Sequence, residues 1–167
     1  VDIAKKYEIN YFRGAENDVL QRFIDAANEF NADKIIRVCA DNPFLDMDFL
    51  NFLLQNFEKT DCDYMSFSTS EGTPTIKTHY GFWAEAVKLS ALNKVKSMTD
   101  ESLYHEHVTN FIYANKDVFD VRFFNISEEI ENQNVNKESI IQAFVQTKET
   151  IVIENTDKNT YSFDTPI

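Results

Sequence analysis

The stretch "KIIRVCADNPFLD", residues 34–46, decides the fold, because in it an apolar run ends on a carboxylate. Its first seven residues, 34–40, are mostly apolar and rich in β-branched side chains, which predicts a buried strand. Asp41 follows that strand directly, and the Asn42-Pro43 turn comes next. The sequence therefore predicts a strand that delivers Asp41 to one edge of a sheet.

Helical and strand patterns alternate on both sides of this stretch. Predicted helices cover 16–31, Met47 to about Phe57 with Asp46 as N-cap, 88–97, 101–116 and 136–149; predicted strands cover 7–14, 34–40, 63–69, 80–87, 120–126 and 150–155. Alternating helices and strands with short connections indicate an α/β layered fold with a mostly parallel sheet. We expect a single domain over 1–167.

Asp41 has two interpretations at this point. Ligands bind at the carboxyl ends of the strands in such sheets, which favours a binding role. An aspartate close before a proline also forms a turn in many proteins, which favours a purely local role. Spacing alone does not separate the two.

Composition limits the classes of function. The net charge of −12 argues against nucleic-acid binding as the main task, because that task needs a basic surface. The chain has only 3 glycines, and none of them forms a Gly-rich phosphate loop of a known type. No apolar run approaches the ~20 residues that span a bilayer. Cys39 and Cys62 each lie in or beside an apolar run, which predicts buried, reduced cysteines and a cytoplasmic location.

Residues 11–46 resemble the N-terminal half of the spore-coat polysaccharide cytidylyltransferase-like family, which is related to acylneuraminate and 3-deoxy-manno-octulosonate cytidylyltransferases. The residues that carry the resemblance are Arg13-Gly14, Asp18-Val19-Leu20, Arg22, Arg37 and Ala40-Asp41 followed by Pro43. Three later stretches resemble the family more weakly: "YGFWAEAV" at 80–87, "EHVTNFIY" at 106–113 and "FDTP" at 163–166.

The resemblance implies a Rossmann-like nucleotidyltransferase domain that transfers CMP from CTP to a sugar, for surface or spore-coat polysaccharide synthesis. It implies Mg²⁺ as cofactor, a hard cation that prefers carboxylate oxygens. It assigns Asp41 and Asp164 as the catalytic, metal-binding residues. It also suggests a homodimer, with no nucleic-acid or membrane partner.

The resemblance assigns the binding of nucleotide or substrate, less specifically, to seven further positions: Arg13, Asn17, Asp18, Arg22, Glu85, Glu106 and His107. Arg13 is interpreted as functional, and Glu106 and His107 are suggested to face either the sugar pocket or a subunit interface. The other four have a local alternative. Helix capping explains Asn17 and Asp18, a solvated or ion-paired side chain explains Arg22, and a surface position explains Glu85. Arg37 is interpreted as an ion pair at the edge of the core.

Zinc is a further possibility raised by three histidines, His79, His105 and His107. The i, i+2 spacing of His105 and His107 does not place them on one helix face, which argues against a zinc site.

The sequence also departs from the family. The family's first strand and Gly-rich loop are absent from it, and it stops at "FDTPI". We therefore expect a domain truncated at both ends that does not turn over CTP alone. Residues 127–160 have no family match, and the register of Asp164 depends on them.

Two other functions stay open. One is a catalytically silent binding or assembly module with the same fold. The other is a glycosyltransferase that uses a nucleotide-sugar, for which "DMD" at 46–48 has the required Asp-x-Asp spacing. Capping at a helix start explains that spacing better.

Overall fold

The computed structural model describes residues 1–39, 45–78 and 82–126, and the backbone of Val152–Glu154 and Thr160–Ser162. The chain divides into two compact units, Val1–Asn125 and Ile126–Ile167. In the second unit the described strands are β5 (Val152–Glu154) and β6 (Thr160–Ser162), which pair antiparallel. The single domain over 1–167 stays a prediction. No helix in the described segments is both long and apolar enough to cross a membrane.

The first unit contains all the other described elements. Its helices are α1 (Asp2–Lys6), α2 (Val19–Glu29), α3 (Met47–Lys59), α4 (Leu89–Met98), α5 (Ser102–Glu106) and α6 (Asn110–Ala114), with a 3₁₀ turn at Thr75–Lys77. Its strands are β1 (Lys34–Arg37), β2 (Tyr64–Ser68), β3 (Glu85–Lys88) and β4 (Val121–Asn125).

The four strands form one sheet in the order β1-β3-β2-β4. β3 pairs antiparallel with both β1 and β2, whereas β4 pairs parallel with β2. Strands β1, β2 and β4 therefore run in one direction and β3 runs in the other. This confirms the predicted α/β fold with its mostly parallel sheet.

Helices cover both faces of the sheet. Because side chains alternate along a strand, Tyr64 and Phe67 of β2 point to opposite faces. Tyr64 belongs to the main core, whose buried members from α2, α4 and α6 include Leu20, Ile24, Leu92, Val95, Ile112 and Tyr113. Phe67 instead lies edge-on to Phe49 of α3, with ring centres 5.2 Å apart.

Two aspartates fix where helices begin. The Asp18 carboxylate accepts a hydrogen bond of 2.9 Å from the Gln21 backbone amide and caps α2. The Asp46 carboxylate accepts bonds of 3.0 and 3.1 Å from the Asp48 and Phe49 amides and caps α3. The predicted N-cap at Asp46 is confirmed, and it explains the first carboxylate of the "DMD" motif.

The predicted strand over 7–14 is wrong. The described chain has no strand there; α1 is followed by a turn and irregular backbone. Tyr7, Ile9 and Tyr11 alternate as in a strand, but all three are exposed. Alternation leads to a strand only where a neighbouring strand pairs with its backbone and a packed layer covers one face, and none of the described strands pairs with this segment.

Other boundaries differ from the predicted ones by a few residues. The 101–116 segment forms the short helices α5 and α6, separated at His107, and β3 occupies only the end of the predicted 80–87 strand. β5 lies within the predicted strand 150–155. The predicted helix 136–149 lies outside the described residues.

Candidate functional site

A pocket of about 360 Å³ opens at the carboxyl end of β1. Its walls come from the end of β1, from the 3₁₀ turn that follows β2, and from the α5–α6 segment. The lining residues are Arg37, Cys39, Ile76, Lys77, His107, Thr109, Asn110 and Tyr113. This is the edge of the sheet at which the sequence predicts a ligand site.

Glu85 lies beneath this pocket, with 1% of its surface exposed. Its Oε1 accepts hydrogen bonds from the Tyr64 hydroxyl at 2.5 Å and the Thr109 hydroxyl at 2.9 Å. Its Oε2 accepts a hydrogen bond from Arg37 Nη1 in an ion pair. Arg37 and Glu85 are cross-strand partners in the β1–β3 pair, so their side chains stand side by side. The predicted ion pair of Arg37 is confirmed, and Glu85 is not a surface residue.

The buried carboxylate fixes the protonation of its neighbours. Burial disfavours the charge on Arg37, but the adjacent Glu85 raises the pKa of its guanidinium. Burial, followed by the charge of Glu85, raises the pKa of the Tyr64 phenol well above its usual value. The same two causes raise the pKa of Tyr113 to about 12. At neutral pH, therefore, Arg37 is a cation and both phenols keep their protons.

The lining of the pocket is basic although the chain is acidic. Among the described residues it contains the cations of Lys77 and of Arg37, whose charge Glu85 balances from below, and no carboxylate. The Lys77 ammonium lies 5.0 Å from the ring centre of Tyr113, within range of a cation–π interaction. Thr109 and Asn110 add neutral polar groups. The pocket therefore suits a polar ligand that carries negative charge.

Residues 1–160 match the family described as Cytidylyltransferase. The chain belongs to the cytidylyltransferase family.

Two curated proteins are similar to this chain. The spore coat polysaccharide biosynthesis protein SpsF of Bacillus subtilis is 29% identical over 126 residues, covering 74% of this chain and 48% of that protein. An uncharacterized protein of Methanocaldococcus jannaschii is 29% identical over 135 residues, covering 81% of this chain and 52% of that protein. The chain thus spans about half the length of the curated relatives it matches.

A solved structure confirms the fold. The structure of a cytidylyltransferase from Leptospira borgpetersenii superposes with a TM-score of 0.65 at 26% identity, over 75% of this chain and 51% of that one. The predicted Rossmann-like nucleotidyltransferase fold is therefore confirmed.

The two aspartates assigned to catalysis and metal binding, Asp41 and Asp164, lie outside the described residues. The chain enters the segment that contains Asp41 immediately after Cys39, which lines the pocket. Within the described ranges, no group of three or more His, Cys, Asp or Glu side chains is placed to hold a metal ion. Carboxylate oxygens are nevertheless the donor type that Mg²⁺ prefers. The assignment of both aspartates stays a prediction.

Asp18 of this cytidylyltransferase chain serves the fold. Besides capping α2, its Oδ2 lies 2.8 Å from Lys96 Nζ and 2.9 Å from His105 Nδ1. Burial works against its charge, but hydrogen bonds from Lys96, the Gln21 amide and His105 lower its pKa to about 2. The capping interpretation is confirmed; a nucleotide contact stays a prediction.

Arg22 also has a structural contact. Its Nη1 donates to the backbone carbonyl oxygens of Ala15 at 2.8 Å and Glu16 at 3.4 Å, which holds the loop before α2. That side chain packs closely on Gly14, where an added Cβ would come within 3.1 Å of Arg22 Cγ.

The structure brings only part of the predicted set together. His107 lines the pocket, and Glu85 lies directly beneath it. Five other predicted residues are not among those that line it: Arg13, Asn17, Asp18, Arg22 and Glu106. Of these, Arg13, Asn17 and Glu106 are exposed. Their binding roles stay predictions.

Seven pocket residues do not appear in the predicted binding set: Arg37, Cys39, Ile76, Lys77, Thr109, Asn110 and Tyr113. The last three lie in "EHVTNFIY", and the four-residue spacing of Thr109 and Tyr113 is typical of one helix face. That spacing was the available signal. Lys77 follows a loop, and no sequence pattern marked it as a pocket residue. Cys39 was predicted to be buried, but it is only half-buried, at the pocket wall.

Proposed function

We propose that the protein transfers CMP from CTP to a sugar, with Mg²⁺ as cofactor, releasing pyrophosphate. The observation that carries the proposal is the match of residues 1–160 to the cytidylyltransferase family. The basic pocket at the carboxyl end of β1 supports it, because Cys39, which lines the pocket, is two residues before Asp41 in the sequence.

The proposed step is a displacement at the α-phosphorus of CTP. A sugar hydroxyl oxygen forms a bond to this phosphorus, and the bond to the bridging α–β oxygen breaks. Pyrophosphate leaves with the bonding electron pair, and the hydroxyl proton passes to solvent. Mg²⁺, held by Asp41 and Asp164 in this proposal, supplies charge neutralisation at the phosphates when it is bound.

The described pocket residues then orient the reactants. The cations of Arg37 and Lys77 attract negative charge, whereas Thr109 and Asn110 offer hydrogen bonds to hydroxyl groups. We assign this pocket to the sugar, because the resemblance matches Glu85 to an acidic position near the sugar and suggests that Glu106 and His107 face either the sugar pocket or a subunit interface.

The sugar product is proposed to enter the synthesis of a surface or spore-coat polysaccharide. This rests on the Bacillus subtilis relative, whose name places it in spore coat polysaccharide biosynthesis. A homodimer and a cytoplasmic location remain predictions from the sequence.

Calorimetric titration of CTP into the longest natural form of the protein tests the proposal. We expect binding that depends on Mg²⁺ and that disappears in Asp41→Ala. Asp48→Ala is the matched control, because Asp48 is an exposed aspartate whose side chain does not cap α3. This control should bind like the wild type.

The same preparations are then assayed for pyrophosphate release from CTP with a panel of sugars. Release with at least one sugar, lost in Asp41→Ala, is the expected result. CTP binding without release across the panel would favour a catalytically silent module. Absence of CTP binding by a folded wild type would overturn the proposal.

A further inference from the structure

We propose that Glu85 is a positioning residue, which acts on the substrate through Arg37 and Thr109 without touching it. The inference deepens the proposed function and rests on it, since it assigns the pocket to the sugar. Glu85 is absent from the lining, while both residues that it holds are part of the lining.

Glu85 connects two parts of the pocket wall. Each oxygen of the Glu85 carboxylate is used: Oε2 by Arg37, and Oε1 by the hydroxyls of Thr109 and Tyr64. Thr109 lies between α5 and α6, and Arg37 lies at the end of β1. One buried carboxylate therefore bonds to two parts of the chain that are distant in sequence, and both parts line the pocket.

The contacts of Glu85 determine which polar groups remain available to a ligand. An arginine has five N–H donors, and in the described part of the chain the hydrogen bond of Arg37 to Glu85 uses one of them, on Nη1. Its side chain is 16% exposed and reaches the pocket. Because Thr109 donates its hydroxyl hydrogen to Glu85, its oxygen can act towards a ligand only as a hydrogen-bond acceptor. Arg37 has no acceptor and offers donors, so Glu85 orients its guanidinium and makes Thr109 an acceptor.

The burial of Glu85 is energetically costly. Burying a carboxylate carries a large desolvation cost, and buried ion pairs are often no more stabilising than apolar side chains of similar volume. Among the residues the structure describes, Glu85 is the one acidic or basic residue in the buried set. A buried ion pair is therefore weak evidence for a role in stability, and the location of Glu85 directly under the pocket favours a role at the site.

The proposal predicts a particular kinetic signature. Glu85→Gln keeps the shape of the side chain but removes its charge, so Arg37 loses its charged partner. We expect the KM for the sugar to rise roughly tenfold to a hundredfold, as for the loss of one charge-assisted hydrogen bond. The KM for CTP should change less than about twofold. Glu85→Asp keeps the charge and should restore part of the loss.

Tyr64→Phe supplies a second variant that is not in the pocket lining. It removes one donor from Glu85 and leaves the pocket side chains unchanged. If Glu85 acts through its neighbours, this variant should raise the KM for the sugar in the same direction, by a smaller factor. A Tyr7→Phe variant, which alters an exposed tyrosine, is the control and should have no effect.

The test combines these kinetics with NMR of the arginine side chains, in which Arg37→Lys assigns the Arg37 signals. In the wild type we expect slow rotation of the Arg37 guanidinium group and slow exchange of its hydrogens with solvent. In Glu85→Gln both should become faster, so that the separate hydrogen signals average. Arg37 signals that are unchanged in Glu85→Gln would overturn the proposal. Faster rotation of Arg37 with an unchanged KM for the sugar would also overturn it. If the wild type accepts no sugar, the proposed function fails, whereas the NMR comparison still decides whether Glu85 positions Arg37.

Discussion

At the scale of single residues, Asp18 combines a helix cap with an ion-paired cluster. Asp18→Asn keeps an acceptor for the Gln21 amide but removes the charge opposite Lys96 and His105. Asp18→Ala removes both the acceptor and the charge. We expect Asp18→Ala to be the less stable variant by about 1 kcal/mol, the usual contribution of a cap. Urea denaturation of both variants measures the difference; equal stabilities would mean that the cap contributes nothing.

The ion pairing of Asp18 predicts how stability depends on pH. Its pKa is lowered from 3.8 to about 2 in the folded protein. A carboxyl group whose pKa is lowered by folding stabilises the folded state at pH values above its pKa in the unfolded chain. This stabilisation disappears as the pH falls through its pKa in the folded protein. The shift corresponds to roughly 2 kcal/mol.

We therefore expect the stability difference between wild type and Asp18→Asn to be constant above about pH 5 and to shrink between pH 4 and 2. Urea midpoints across this range check it. A difference that stays constant down to pH 2 would contradict the assigned pairing.

At the scale of elements, α3 depends on one capping side chain. Asp46→Ala leaves the Asp48 and Phe49 amides without their acceptor, so we expect a loss of about 1 kcal/mol in the free energy of unfolding. Asp46→Ser should recover most of it, because serine also caps helices. Asp48→Ala is the control, and it should cost only a few tenths of a kcal/mol through the helix dipole. A larger loss in the control would show that first-turn charge matters more than the cap.

Local patterns predicted most elements because their signals are local. α2 has its buried face at Leu20, Ile24 and Ala27, at helical spacing. The sequence alternation over 63–69 predicted β2, although all five residues of that strand are buried. The failed strand at 7–14 has the same alternation but no described strand beside it. The reversed direction of β3 also depends on its neighbours, β1 and β2, and no local pattern carries that information.

At the scale of the whole molecule, the sequence predicted where the pocket lies better than it predicted which residues line it. The rule for parallel sheets located a ligand site at the carboxyl end of the strand that precedes Asp41. The lining residues Lys77 and Thr109 come from separate segments that meet only after folding. Glu85 was singled out by resemblance, but its burial depends on Tyr64, Arg37 and Thr109 closing around it.

The packing of helices on both faces of one sheet predicts cooperative unfolding of the unit Val1–Asn125. Leu92 is fully buried in the core on one face, whereas Trp83 contacts Phe49 of α3, with ring centres 5.9 Å apart, on the other. Leu92→Ala should lower the free energy of unfolding by roughly 2–5 kcal/mol through cavity formation. Leu103→Ala, at a half-exposed leucine, is the matched control and should change it by less than about 0.5 kcal/mol.

Trp83 is the single tryptophan, so its fluorescence reports the face opposite Leu92. We expect Leu92→Ala to shift the urea midpoint of the Trp83 fluorescence as much as that of the far-ultraviolet circular dichroism. The sheet transmits the loss because its strands are shared by both faces: Tyr64 faces the Leu92 core, while Phe67 of the same strand packs on α3. A fluorescence midpoint that stays in place while the dichroism midpoint moves would mean that α3 and its aromatic contacts unfold independently.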